Sequence, residues 1–235
     1  MSSYLKDKMK HVVAARQTEF VAFKKEFGDV SLGEVKVEQV IGGMRGMPGM
    51  LYETSKLDAN DGIFYRGHKL FDIREKAPKA VEGGEPIPEG VLWLLMTGEY
   101  PTESEIKDFR EDMYKRGQLT QAQEDSIKSF PSHMHGMTQF SAGVLMCQPD
   151  SHFAKAYAHG VHKSKYWEAT FEDALDLCAK VSRIAAIVYH NKYRKTESLP
   201  NRVPGLDYGA NFAHMLGYQS AQFAELMRLY LTIHA

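Results

Sequence analysis

The chain has 235 residues, enough for one large domain or two small ones with a substantial buried core. Its apolar fraction of 43% and charged fraction of 25% are ordinary for a globular protein. Its formal net charge of -1 offers neither a basic field for nucleic acid nor the acidic excess of a disordered chain. Two cysteines, Cys147 and Cys178, make no disulfide framework and fit a reducing compartment, and there is no run of about 18 apolar residues to suggest a membrane span.

Leu5, Met9, Val12, Val13, Phe20, Phe23 and Phe27 recur at helical spacing and predict an amphipathic helix over 4–27, ending near Gly28. Lys6, Lys8, Lys10 and Arg16 along it raise the question of an organelle-targeting segment. Asp7, Glu19 and Glu26 favour a surface helix, because transit peptides are poor in acidic residues. A strand-like region follows. Val35, Val37 and Ile41 fall on alternate positions of 34–41, and 50–54 and 63–66 are two further short runs. Asn60-Asp61-Gly62 between those two runs is a turn signal. The expectation is a small sheet of short strands and no parallel α/β core.

From Pro88 onward the text is helical. Val91 to Met96 is a short apolar helix between Pro88 and Gly98. Thr102 with Glu105 spells a capping box, in which each side chain satisfies a free backbone N–H of the other residue, and opens a helix closing at Gly117. Thr120 with Gln123 repeats the device before Ile127 and Phe130. Further helices are marked by Met137, Phe140, Val144 and Leu145, by Phe153, Tyr157 and Val161, and by the long stripe from Phe171 through Leu175, Val181 and Val188 to Tyr189. A loop with Pro200, Pro204 and Gly205 leads to a last helix, capped by Ser220 and carrying Phe223, Leu226, Tyr230 and Ile233. That stripe runs to Ala235 without the Gly, Asn or Pro that usually closes a helix. Alone, this fits equally a chain cut within a helix and a natural helix that frays at its terminus.

Three groups of residues invite a chemical reading. Gly42-Gly43-Met44-Arg45-Gly46-Met47-Pro48-Gly49 is neither GxGxxG nor a P-loop. Its backbone N–H groups and Arg45 have the chemistry to hold a phosphate, while a mobile connector accounts for it as well. His133 with His135, and His159 with His162, match no recognised zinc spacing, and polar groups hydrogen-bonded at helix ends account for them better. Lys163-Ser164-Lys165-Tyr166-Trp167 mixes cations with aromatics, in the manner of an anion grip or, more commonly, a solvated helix boundary.

Specific strings add to this reading. They are Gly42-Gly43-Met44-Arg45-Gly46-Met47, Leu51-Tyr52-Glu53-Thr54-Ser55, Pro88-Glu89-Gly90 with Trp93-Leu94-Leu95, and Lys165-Tyr166-Trp167-Glu168. To these belong Asn211-Phe212 with Met215-Leu216-Gly217-Tyr218, and the stretch from Glu225 to His234. Together they closely resemble citrate synthase of the eukaryotic, mitochondrial type, in order and over essentially the whole chain.

The resemblance implies a mainly α protein: the citrate synthase large-domain helical fold with a small N-terminal antiparallel β element. Residues 1–235 would be the N-terminal part of that large domain, the small domain and C-terminal part being absent, and the last helix would be truncated. Helices near 137–147 and 167–195 resemble those of the family's homodimer interface. The implied activity is that of an acyltransferase of the tricarboxylic acid cycle in the mitochondrial matrix. It condenses acetyl-CoA with oxaloacetate and hydrolyses the thioester to citrate and CoA. Coenzyme A enters as a substrate; no permanently bound cofactor, metal, nucleic acid or membrane is implied.

Such chemistry needs a carboxylate to take a proton from the acetyl methyl group and histidines to donate to the thioester and ketone oxygens. In the family the catalytic His, His and Asp lie in the later half, as do the oxaloacetate-binding arginines. The first oxaloacetate-binding histidine follows the segment matching His234-Ala235. The chain alone is therefore expected to hold no catalytic residue and to be inactive. The alternative is a non-catalytic relative acting as a structural or assembly subunit. Two CoA contacts are carried over: Arg45 matches an arginine that binds CoA phosphates, and Lys163 stands where the family has a phosphate-binding arginine reaching in from the partner subunit. Lysine cannot make the planar two-pronged contact, so the grip at Lys163 is expected to be less geometrically selective.

Overall fold

The computed structural model describes residues 4–49, 54–195 and 197–235. It divides into two compact units, Met1–Lys76 with Leu92–Tyr100, and Ala77–Val91 with Pro101–Ala235. The chain is mainly α, with one three-stranded antiparallel sheet.

In the first unit, α1 spans Tyr4–Phe27, as its periodicity predicts. Leu5 is its buried residue, while Phe20, Phe23 and Phe27 are exposed, so much of the apolar stripe is not covered by this unit. The sheet comprises β1 (Ser55–Asp58), β2 (Gly62–Tyr65) and β3 (His68–Lys69), in that order. Asn60-Asp61-Gly62 makes the β1–β2 turn: Asp58 Oδ1 accepts from the Asn60 and Asp61 amides at 2.9 and 3.1 Å, and Gly62 has φ 82°, the left-handed region that a side chain disfavours. The register pairs Ser55 with Tyr65 and Asp58 with Gly62. A helix α3 (Leu70–Lys76) and the later part of α4 (Pro88–Thr97) complete the unit. Arg66 donates to the Leu95 and Met96 carbonyls at 2.7 and 3.0 Å, serving acceptors that the last turn of α4 cannot satisfy internally. Tyr65, Ile73, Trp93 and Leu94 are buried with Leu5.

The strand expected over 34–41 is not there: Val37–Ile41 is a short helix, α2. Val37, Val40 and Ile41 fit i, i+3, i+4 spacing as well as they fit alternation. Gln39 decides locally, its Oε1 accepting from the Lys36 amide at 2.9 Å. Val35, Val37 and Ile41 are all exposed, so no buried face rewards an extended conformation. The expected run 50–54 falls mainly on residues outside those described. The run at 63–66 is β2, whose bounds are shifted by one residue. β1, β3 and α3 carry no periodic signal long enough to read.

The second unit is organised on α9 (Tyr166–Tyr193), 28 residues long. Against it pack α5 (Glu103–Arg116), α6 (Gln121–Lys128), α7 (Gly136–Leu145), α8 (His152–Ala158) and α10 (Tyr208–Met215), while α11 (Ala221–Ile233) packs on α10. Thr102 and Thr120 accept from the amides of Glu105 and Gln123, and those side chains answer at 2.8 and 2.9 Å, so both capping boxes form. Ile127, Ile184, Ile187 and Val188 form a buried cluster, with Phe130, Phe140 and Val144 packed around it. A Cβ on Gly143 would lie 2.7 Å from Ile184 Cγ2, so its lack of a side chain permits the close approach of α7 to α9. Arg116 ties α5 to α9, reaching Asp176 and Glu172 at 2.6 Å each and Asp112 on its own helix at 2.8 Å. Both cysteines are free thiols.

Candidate functional site

Arg45 lies in the first unit, in the loop that closes α2. Met44 N–H donates to the Gln39 carbonyl at 2.7 Å, and Gln39 Nε2 donates to the Gly46 carbonyl at 3.1 Å, folding the loop back over the helix. Gly43 and Gly46 take φ values of 75° and 73° on either side of Arg45, so the turn itself calls for glycine there. The Arg45 side chain is exposed and has no acidic partner among the described residues. An exposed planar guanidinium of this kind has the geometry to fork onto a phosphate.

Lys163 lies in the second unit and opens a 3₁₀ turn, Lys163–Lys165, between α8 and α9. His162 caps that turn, its Nδ1 accepting from the Ser164 amide at 3.3 Å. Gly160, at φ 68°, makes the bend before it. Lys163 is exposed, and while Lys165 pairs with Glu168 at 3.4 Å, Lys163 has no such partner among the described residues. Arg45 and Lys163 therefore belong to different units, each as an exposed cation without an acidic partner among the described residues.

Of the histidines His133, His135, His159 and His162, the last three hydrogen-bond at the ends of elements. His135 Nδ1 accepts from the Met137 amide at 3.2 Å at the start of α7, and His159 Nδ1 bonds the Lys155 carbonyl at 2.7 Å at the end of α8. Among the described residues no group of three His, Cys, Asp or Glu side chains could hold a metal, and no helix is long and apolar enough to cross a membrane. A cleft of about 650 Å³ between α6 and the end of α9 is lined by His190, Arg194 and Lys195 among others, and does not include Lys163.

One polar cluster in the second unit has no counterpart in the sequence reading. Glu89, in the first turn of α4, is 3% exposed, and Asp207 is 2% exposed. Glu89 Oε1 accepts from the Tyr208 amide at 2.8 Å, and Asp207 caps α10 by accepting from the Ala210 amide at 3.1 Å. Arg228 of α11 holds Asp207 at 2.7 Å through Nη2 and at 3.2 Å through Nε. Burial, followed by the nearby Asp207 charge, pushes the Glu89 carboxyl up to about 7. No periodic signal links Glu89 to residues more than a hundred positions away; only its burial in the fold does.

Residues 43–235 match the model of the family described as citrate synthase, C-terminal domain. The chain belongs to the citrate synthase family. It is 45% identical over 234 residues to the mitochondrial citrate synthase of Xiphias gladius, covering 100% of this chain and 50% of that protein. It is 45% identical over 231 residues to citrate synthase 4, mitochondrial, of Arabidopsis thaliana, covering 98% and 48%. The chain thus spans about half the length of the curated relatives it matches. The crystal structure of citrate synthase from Pyrobaculum aerophilum superposes with a TM-score of 0.68 at 23% identity, over 83% of this chain and 47% of that one. A citrate synthase from Thermoplasma acidophilum, in a ternary complex with carboxymethyl coenzyme A and oxaloacetate, gives 0.59 at 16% identity, over 80% and 45%. At such identities these likenesses show the citrate synthase fold alone.

Proposed function

We propose that residues 1–235 are the N-terminal part of a mitochondrial-matrix citrate synthase that condenses acetyl-CoA with oxaloacetate and hydrolyses the thioester to citrate and CoA. The match of residues 43–235 to the citrate synthase family carries this reading, and the mitochondrial names of the similar proteins support the location. The contribution of this segment is part of the CoA grip. Arg45 and Lys163 are exposed cations suited to phosphates, and two copies in a homodimer would supply them to one nucleotide, Lys163 from the partner copy. CoA comes and goes as a substrate, and no resident cofactor is needed. Oxaloacetate binding and the His, His and Asp chemistry belong to the other half of the enzyme, so the isolated segment 1–235 turns nothing over.

The proposal is tested by the intact mass of the native protein together with citrate formation from acetyl-CoA and oxaloacetate. A chain about twice this length that makes citrate is expected; a native protein that makes none overturns the reading. In the active protein, Arg45→Ala is expected to raise KM for acetyl-CoA by about tenfold with little change in kcat, the loss of one charge-assisted phosphate contact. Lys163→Arg is expected to lower that KM, because a guanidinium forks onto phosphate where an ammonium cannot.

A further inference from the structure

Residues 77–91 form a strap closed on itself: Ile87 N–H donates to the Pro78 carbonyl at 2.9 Å, and Lys79 bridges to Pro86. Two carboxylates tie this strap to α10 and α11. The Glu85 amide donates to Glu225 Oε2 at 2.8 Å, and Glu89 Oε1 accepts from the Tyr208 amide at 2.8 Å. The charges around Glu89 do not balance. Beyond burial, the Asp207 charge at the start of α10 pushes the Glu89 carboxyl up, while its own amide, the Tyr208 amide and the Arg110 charge on α5 draw it down. Arg228 is committed to Asp207 and to Glu225 Oε1, the latter at 2.6 Å. Arg110 donates to the Gly205 carbonyl at 2.7 Å through Nη2, and its charge acts on Glu89 without an ion pair between them among the described residues. The Tyr208 phenol, pushed up to about 12 by burial, stays neutral and donates to the Cys178 carbonyl at 2.7 Å. Glu89 Oε2 is buried without a hydrogen-bond partner among the described residues. An ionised carboxylate there bears a buried charge and a like charge beside it; a neutral carboxylic acid sheds the like-charge repulsion and most of the desolvation cost.

We propose that Glu89 is a proton-operated latch: neutral, it holds the strap 77–91 on α10 and α11, and ionised, it loosens that strap. In the closed form the carboxyl titrates at about 7; freed into water it returns to its ordinary value of 4.5. Between those values the closed form keeps a proton that the open form has lost, so raising the pH favours opening. Above the closed-form value both forms are ionised and the dependence levels off. These two values make the opening equilibrium rise about tenfold from pH 6 to pH 8.

Hydrogen exchange on the full-length protein reads this directly, at the Glu85 and Tyr208 amides, once intrinsic exchange rates are divided out. Protection in the wild type is expected to fall about tenfold from pH 6 to pH 8, while Glu89→Gln, which cannot ionise, keeps its protection across that range. Unchanged wild-type protection, or the same fall in Glu89→Gln, overturns the latch. Should the variant not fold, carbon-13 titration of the wild-type Glu89 carboxyl decides: a midpoint near 7 sustains the proposal and one below 5 removes it.

Discussion

Asp173 accepts three hydrogen bonds with one carboxylate: from Ser151 Oγ at 2.6 Å, the His152 amide at 2.6 Å and the Phe153 amide at 3.1 Å. It thereby seats the N-terminus of α8 on α9. Burial alone would raise its carboxyl, but the Ser151, Phe153 and His152 hydrogen bonds outweigh that and hold it below the usual range. A lowered folded-state value contributes stability above the unfolded value, and that contribution is lost as pH falls through the folded one. Asp173→Asn turns one acceptor into a donor facing donors. It is expected to cost about 1 kcal/mol at pH 7, with the gap to wild type narrowing toward pH 3, as read by urea unfolding. Such a residue is invisible in the sequence, because its partners lie about twenty positions away on another helix. Thr102 and Thr120, by contrast, are legible because their partners are three residues on.

At the scale of elements, periodicity located the helices whose apolar stripes are long. α1, α5, α7, α9 and α11 stand where their stripes predict them, while α6 and α8 end before Phe130 and Val161. It failed at α2, where five residues satisfy two periods and an exposed position leaves burial no vote. It passed over α10, a short helix whose Gly209, Ala210 and Asn211 are buried without making an apolar stripe. Helix contacts set a further limit. The approach of α7 to α9 depends on Gly143, where a Cβ would also sit 3.3 Å from Ile127 Cδ1. Gly143→Ala is expected to destabilise the protein by about 1–3 kcal/mol through overpacking, measured by thermal or urea unfolding. A cost below about half a kcal/mol would show that Ile184 yields without strain.

At the scale of the molecule, residues 1–235 leave apolar surface uncovered. On α7, Met137 is 62% and Leu145 72% exposed, and on α9 Leu177 and Tyr193 also face outward. Large exposed patches associate. Residues 1–235 alone are expected to self-associate in size-exclusion chromatography with light scattering, and a well-behaved monomer would speak against this. In the complete protein, Met137→Arg with Leu145→Arg is expected to shift a homodimer toward monomer, since an unpaired charge at an apolar interface costs several kcal/mol. An unchanged dimer would place the interface elsewhere.

Taken alone, the sequence determined the mainly helical class, the hairpin turn at Asn60-Asp61-Gly62, the helix caps and, through its strings, the family. These are local properties: propensity, period and the hydrogen bonds of near neighbours, all of which a linear text displays. The two cations Arg45 and Lys163 could be named from the text, but that each is exposed on its turn is a fact of the fold. The tertiary structure decided which close contacts need glycine, and that Glu89 and Arg228 each meet the Asp207–Tyr208 start of α10. Those depend on burial and on charges brought together from distant positions, where desolvation makes a carboxylate behave unlike its counterpart in water.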